Sequence, residues 1–137
     1  MSLSEEQIIL VETTFRALDG KGDEFVAAIY KKFFEQEPEA EAMFDETDFK
    51  QQHKKLLLTL IMIVDNLRDM PHIEAMLQAT IKTHQAHAIK KHHYDALIDA
   101  IIETFDETIK DKWSSEAETA WRAALAKIVE LLQVSPA

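Results

Sequence analysis

The sequence predicts an all-α protein, one helical domain of about six substantial helices plus short turns, and three observations predict it. Two glycines and three prolines punctuate 137 residues, too few for the turns of a sheet protein. Hydrophobic residues make up 47 %, enough to build one core at this length. Apolar side chains recur at three- and four-residue spacing along most of the chain.

Ser4 and Gln7 have capping-box spacing and open the first helix, where Ile8, Val11, Phe15 and Leu18 form one stripe up to the Gly20–Gly22 break. A second helix runs from about Asp23 to Gln36, with Phe25, Ile29 and Phe33 on a common face. Pro38 begins a short turn that includes Met43 and Phe44, and the acidic link Asp45–Asp48 offers N-caps for the next helix. That helix, about Phe49 to Arg68, holds the most apolar stretch, Leu56 to Val64. Pro71 suits a helix start, and the segment it opens continues to about Ala88. A long helix covers roughly His92 to Lys110, and Ser115 with Glu118 makes a second capping box for a last helix to about Gln133. No internal repeat, low-complexity stretch or linker interrupts residues 1–137, so the chain reads as a single domain.

Composition excludes several kinds of chemistry. With no cysteine there is no disulfide framework, thiolate zinc site, iron–sulfur cluster or cysteine nucleophile. A net charge of -10, from 25 acidic and 15 basic residues, argues against a nucleic-acid partner, because Lys54-Lys55 and Lys90-Lys91 are too short for a phosphate-binding footprint. The N-terminal MSLSEEQ lacks a signal-peptide pattern, and no apolar run approaches the roughly 18–20 residues that span a bilayer. The expectation is a cytoplasmic protein with no membrane partner, as a monomer or a homodimer.

Six histidines, His53, His72, His84, His87, His92 and His93, are the natural ligand candidates, since a neutral imidazole offers a nitrogen lone pair to iron or zinc. None has a glutamate three residues before it, so a carboxylate-bridged di-metal bundle is not supported. A Gly-x-Ser-x-Gly elbow, a phosphate loop and a His-Glu-x-x-His signature are also missing. His84 follows Leu77 by seven residues and Ile81 by three, which puts it on or near a buried stripe. Spacing alone favours a core-edge histidine satisfied by a backbone carbonyl. Gln52, Leu56 and Leu60 share one helix face, a polar group at the head of an apolar stripe, and Tyr30 carries a hydroxyl that needs a partner if buried.

In order and spacing these residues resemble the bacterial single-domain globins and the haem domains of flavohaemoglobins, over nearly the whole chain. Tyr30 stands where those proteins place a distal tyrosine, and Phe44 matches the phenylalanine packed on haem before the distal helix. Gln52-His53-Lys54-Lys55-Leu56 matches the distal segment, with Gln52 the polar residue and Leu56 and Leu60 apolar haem contacts. Pro71 corresponds to the proline before the proximal helix and His84 to the proximal iron ligand. Tyr94 matches a tyrosine near the proximal pocket, and Ala120-Trp121 a recurring pair in the last helix. A one-residue shift would instead make His53 the distal residue with Leu57 its apolar partner, and His53 is then a sixth ligand when no gas is bound. His87 suits a haem propionate or solvent, while His72, His92 and His93 are expected at the surface. Near Pro136, where flavohaemoglobins carry a glutamate that supports the proximal histidine, this chain has none.

The resemblance implies a globin fold around a haem pocket and haem b (iron protoporphyrin IX) on His84. It implies reversible binding of a diatomic gas: oxygen, nitric oxide or carbon monoxide. A second implied activity is nitric oxide dioxygenation, with a separate reductase as electron donor because no flavin or nicotinamide-binding segment occurs in these residues. A haem-free globin-like regulatory or interaction domain is the third class.

Overall fold

Ser4 caps the first helix as its spacing with Gln7 predicts. The Gln7 amide donates to Ser4 Oγ at 3.1 Å and the Ser4 amide donates to Gln7 Oε1 at 3.0 Å. The computed structural model describes residues 3–42, 49–86 and 90–133, and for residues 49, 79–86 and 133 the description covers backbone only. In these residues the elements are α1 (Glu5–Arg16), α2 (Gly22–Gln36), α3 (Pro38–Glu41), α4 (Phe49–Asp65), α5 (Met70–Ala86), α6 (Lys91–Ile109), a 3-10 turn (Lys110–Lys112) and α7 (Ser115–Gln133). No strand occurs among the described residues, and the all-α class and helix order agree with the sequence.

Helix ends differ from expectation where a local side chain decides them. The fourth helix stops at Asp65 rather than running to Arg68, because Asn66 Nδ2 donates to the Met62 carbonyl at 2.8 Å and the backbone tightens into a turn. Asp69 caps α5, its carboxylate accepting the His72 amide at 3.2 Å, so Pro71 lies inside the first turn where no amide is needed. The cap of α7 is Ser114, not Ser115: Ser114 Oγ accepts the Ala117 amide at 3.1 Å. Alanine at that third position cannot reach back, so the capping box expected from Ser115 and Glu118 does not form.

Packing brings α2 against both α4 and α6, α1 against α7 and α4, and α7 against α5 and α6. Aromatic rings centre this core: Phe105 lies 4.6 Å from Phe25, 4.6 Å from Trp121 and 5.1 Å from Trp113, and Phe15 lies 6.2 Å from Trp121. Trp121 is wholly buried; its indole N–H donates to Thr14 Oγ at 2.7 Å, and Thr14 donates on to the Leu10 carbonyl at 2.7 Å. Gly22 serves close approach rather than turn freedom. A Cβ there would lie 3.0 Å from a methyl of Leu57, so its absence lets α4 lie against the start of α2. Gly20 carries the turn, with φ 78°.

Candidate functional site

Where α2 and α4 meet, three of the sequence-predicted residues come together. Tyr30 lies on the buried face of α2 in register with Phe33 and Val26, and Gln52 and His53 lie in the first turn of α4. Gln52 Nε2 donates to Tyr30 Oη at 3.0 Å. The His53 ring stacks on Tyr30 with centroids 5.0 Å apart and planes 21° from parallel, and Phe34 adds a tilted contact at 5.8 Å. In that hydrogen bond the phenol oxygen accepts, so the bond uses the amide's proton and not the phenol's. Burial pushes the Tyr30 phenol above its ordinary pKa, and the Gln52 hydrogen bond opposes that shift.

The apolar partners separate along α4. Leu56 is half-buried and Leu60 is fully enclosed in the core, one and two turns beyond Gln52. Leu57 faces the start of α2 at Gly22. Thus the register pairs Gln52 with Tyr30 and sets His53 flat against the phenol ring. Tyr94, in the first turn of α6, is buried and its phenol is likewise raised by burial. Position 84 lies within α5, whose described core contacts are Ile73 and Leu77, both buried. The side chain of His84, and Phe44 and His87 entirely, lie outside the described residues.

The remaining histidines divide. His72 and His92 are exposed as expected, and His92 Nδ1 lies 2.8 Å from Glu37 Oε1. His93 corrects the sequence reading: expected at the surface, it is 7 % exposed. The reason is helical register. Starting α6 at Lys91 puts His93 on the stripe of Ala96 and Ala100, both buried, while His92 aligns with the exposed Asp95. That periodicity was available in the sequence. Thr14 was missed, since a threonine in the first helix gives no hint that an indole more than 100 residues later will use it.

An all-helical fold with a tyrosine–glutamine pair at a helix crossing defines a helical protein with a polar site walled by apolar and aromatic side chains, rather than a carboxylate-lined bundle. Comparison with known proteins gives the family: the globin model matches residues 27–132, and the chain belongs to the globin family. It is 25 % identical over 134 residues to a flavohemoprotein of Xylella fastidiosa, covering 96 % of this chain and 34 % of that protein. A globin-like protein of Aquifex aeolicus is 24 % identical, with 96 % and 94 % covered. An anaerobic nitrite reductase of Gossypium hirsutum is 26 % identical, with 96 % and 89 % covered. The chain therefore spans about a third of the length of the flavohemoproteins it matches. Globin membership and these relatives imply a haem cofactor. The Tyr30–Gln52 pair fits that group, since haem ligand pockets use hydrogen-bond donors set among apolar walls. Among the described residues, no helix is long and apolar enough to cross a membrane.

Proposed function

We propose that this chain is a cytoplasmic haem b protein that reversibly binds oxygen or another diatomic gas, with His84 as the protein ligand to iron. Haem, when bound, would be held by His84 and would supply an iron able to take a diatomic gas. Position 84 is 11 residues, three helical turns, beyond the buried Ile73 in α5, which supports a place on the inward face of that helix. Phe44, Leu56 and Leu60 would hold the porphyrin on the other side, His87 would meet a propionate or solvent, and Tyr94 would lie on the proximal side.

The observation that carries this reading is the 3.0 Å hydrogen bond from Gln52 to Tyr30. It fixes a phenol and an amide side by side, so that both can donate toward a gas molecule in the pocket. A hydrogen bond to a charge-bearing acceptor contributes about 1.5–3 kcal/mol, roughly tenfold to a hundredfold in affinity. The stacking on Tyr30 supports His53 as a wall of the pocket, with Gln52 rather than His53 as the distal polar group.

Two measurements test this. Purified protein loaded with haem should show a Soret band, and His84→Ala should lose normal loading and spectrum; unchanged spectra would overturn the ligand assignment. Tyr30→Phe and Gln52→Leu should each speed oxygen dissociation by about tenfold or more. Unchanged rates in both would remove the distal assignment.

The match to flavohemoproteins along 96 % of the chain favours a second reading, nitric oxide dioxygenation with a separate reductase. Sustained nitric oxide consumption in the presence of a flavin reductase would support it, and a single turnover would favour gas binding.

A further inference from the structure

The α2–α3 corner and the head of α6 gather a second cluster that the haem reading does not use. Glu37, Glu39, His92 and His93 each offer one ligand atom, and these atoms lie within 4.8 Å of one another. His92 Nδ1 is 2.8 Å from Glu37 Oε1, and His93 Nε2 is 3.7 Å from Glu39 Oε1. The two sides come from points 55 residues apart, so no spacing motif announces them.

The buried member defines the roles. The His93 side chain is 8 % exposed, and its Nε2 has no hydrogen-bond partner. Its other nitrogen, Nδ1, accepts the Lys90 amide at 3.0 Å, so the neutral ring carries its proton on Nε2. His93 therefore aims a buried N–H at the Glu39 carboxylate from just beyond hydrogen-bond range. To ligate a cation it would have to move that proton and give up the Lys90 contact inside a buried site, whereas exposed His92 can carry its own proton on Nε2 and turn a bare Nδ1 toward a cation. A donor in this position suits a carboxylate that is itself a ligand, because ligating carboxylates are held by outer hydrogen bonds.

We propose that Glu37, Glu39 and His92 Nδ1 bind one divalent transition-metal cation of the zinc class, with His93 Nε2–H orienting Glu39 from the outer shell. Two carboxylates balance the cation's charge, and the imidazole selects against magnesium and calcium, which prefer all-oxygen shells. Three protein ligands leave the fourth tetrahedral position for water. Bond lengths of about 2.0–2.2 Å require the ligand atoms to draw closer than they stand, and exposed Glu39 has room to move. The cation would then tie the C-terminal end of α2 to the start of α6.

The test is isothermal titration of the haem-loaded full chain with zinc chloride, and separately with magnesium chloride. We expect one zinc per chain and no saturable magnesium binding. His92→Ala alters an exposed side chain outside the haem pocket; it should weaken zinc binding at least tenfold while leaving the Soret band unchanged. Glu37→Gln with Glu39→Gln should abolish the binding. His93→Asn should keep the stoichiometry and weaken affinity by roughly 10–100-fold, as outer-shell losses do. No saturable zinc binding, or an affinity within twofold of the parent in His92→Ala, would overturn the proposal. The haem reading is judged on the Soret band and stands or falls separately.

Discussion

Trp121 and Tyr30 each join two helices through a hydrogen bond, and they use their polar groups differently. At the α1–α7 contact, Trp121 N–H meets Thr14 Oγ, and the Thr14 hydroxyl proton is spent on the Leu10 carbonyl. Both side chains are buried, so the network is closed and its only product is a fixed crossing. At the α2–α4 contact, Tyr30 is buried but Gln52 and His53 are only half-buried. There the phenol accepts from one neighbour and stacks on another. A closed network stabilises; a network at the margin of the core has partly exposed members that can turn to other partners. Position at the core or at its margin, rather than residue type, separates the two.

The largest expected effect breaks the closed side. Trp121→Ala removes a wholly buried indole that touches Phe15 and Phe105, and should destabilise the fold by about 3–5 kcal/mol in denaturant unfolding. A loss below about 1 kcal/mol would mean the indole is not a core element.

Thr14→Val comes next. It keeps the shape but leaves the Trp121 N–H buried without an acceptor, at a cost of about 1–3 kcal/mol. Tyr30→Phe also deletes a hydroxyl from an aromatic pair, yet half-buried Gln52 can turn to water, so its stability cost should stay below about 1 kcal/mol. If urea midpoints show equal losses in the two variants, the contrast between a pair in the core and a pair at its margin fails.

The same contrast explains what the sequence revealed. Helix order and the Ser4 cap are local properties, so periodicity and one spacing sufficed. The Tyr30–Gln52 meeting was legible through family resemblance, because nothing in either helix alone says that they cross there. Ser114 in place of Ser115 shows the limit of local reading: two adjacent serines both qualify, and only the helix's actual first turn chooses. Gly22 looked like a turn residue and proved to be a contact with Leu57, a distinction that needs the neighbouring helix. His92 and His93 look alike in the sequence, but helical register sends them to opposite environments.

The smallest effect tests the direction of the Gln52–Tyr30 hydrogen bond. The chain has two tyrosines, Tyr30 and Tyr94, and burial raises both phenols above 10.0. The neutral forms are favoured in the fold, so the stability this contributes is present below the unfolded pKa and lost as pH rises through the folded values. Tyrosinate absorbance at pH 10 should therefore fall below the half-ionisation of an unperturbed phenol while helical structure persists. In a Tyr94→Phe background the signal belongs to Tyr30 alone. If Gln52 is the donor, it favours the phenolate, and Gln52→Leu should move Tyr30 higher still. If the phenol instead donated to the Gln52 carbonyl oxygen, the same substitution would move it lower. An upward shift accordingly identifies the amide as the group that gives the proton in this hydrogen bond.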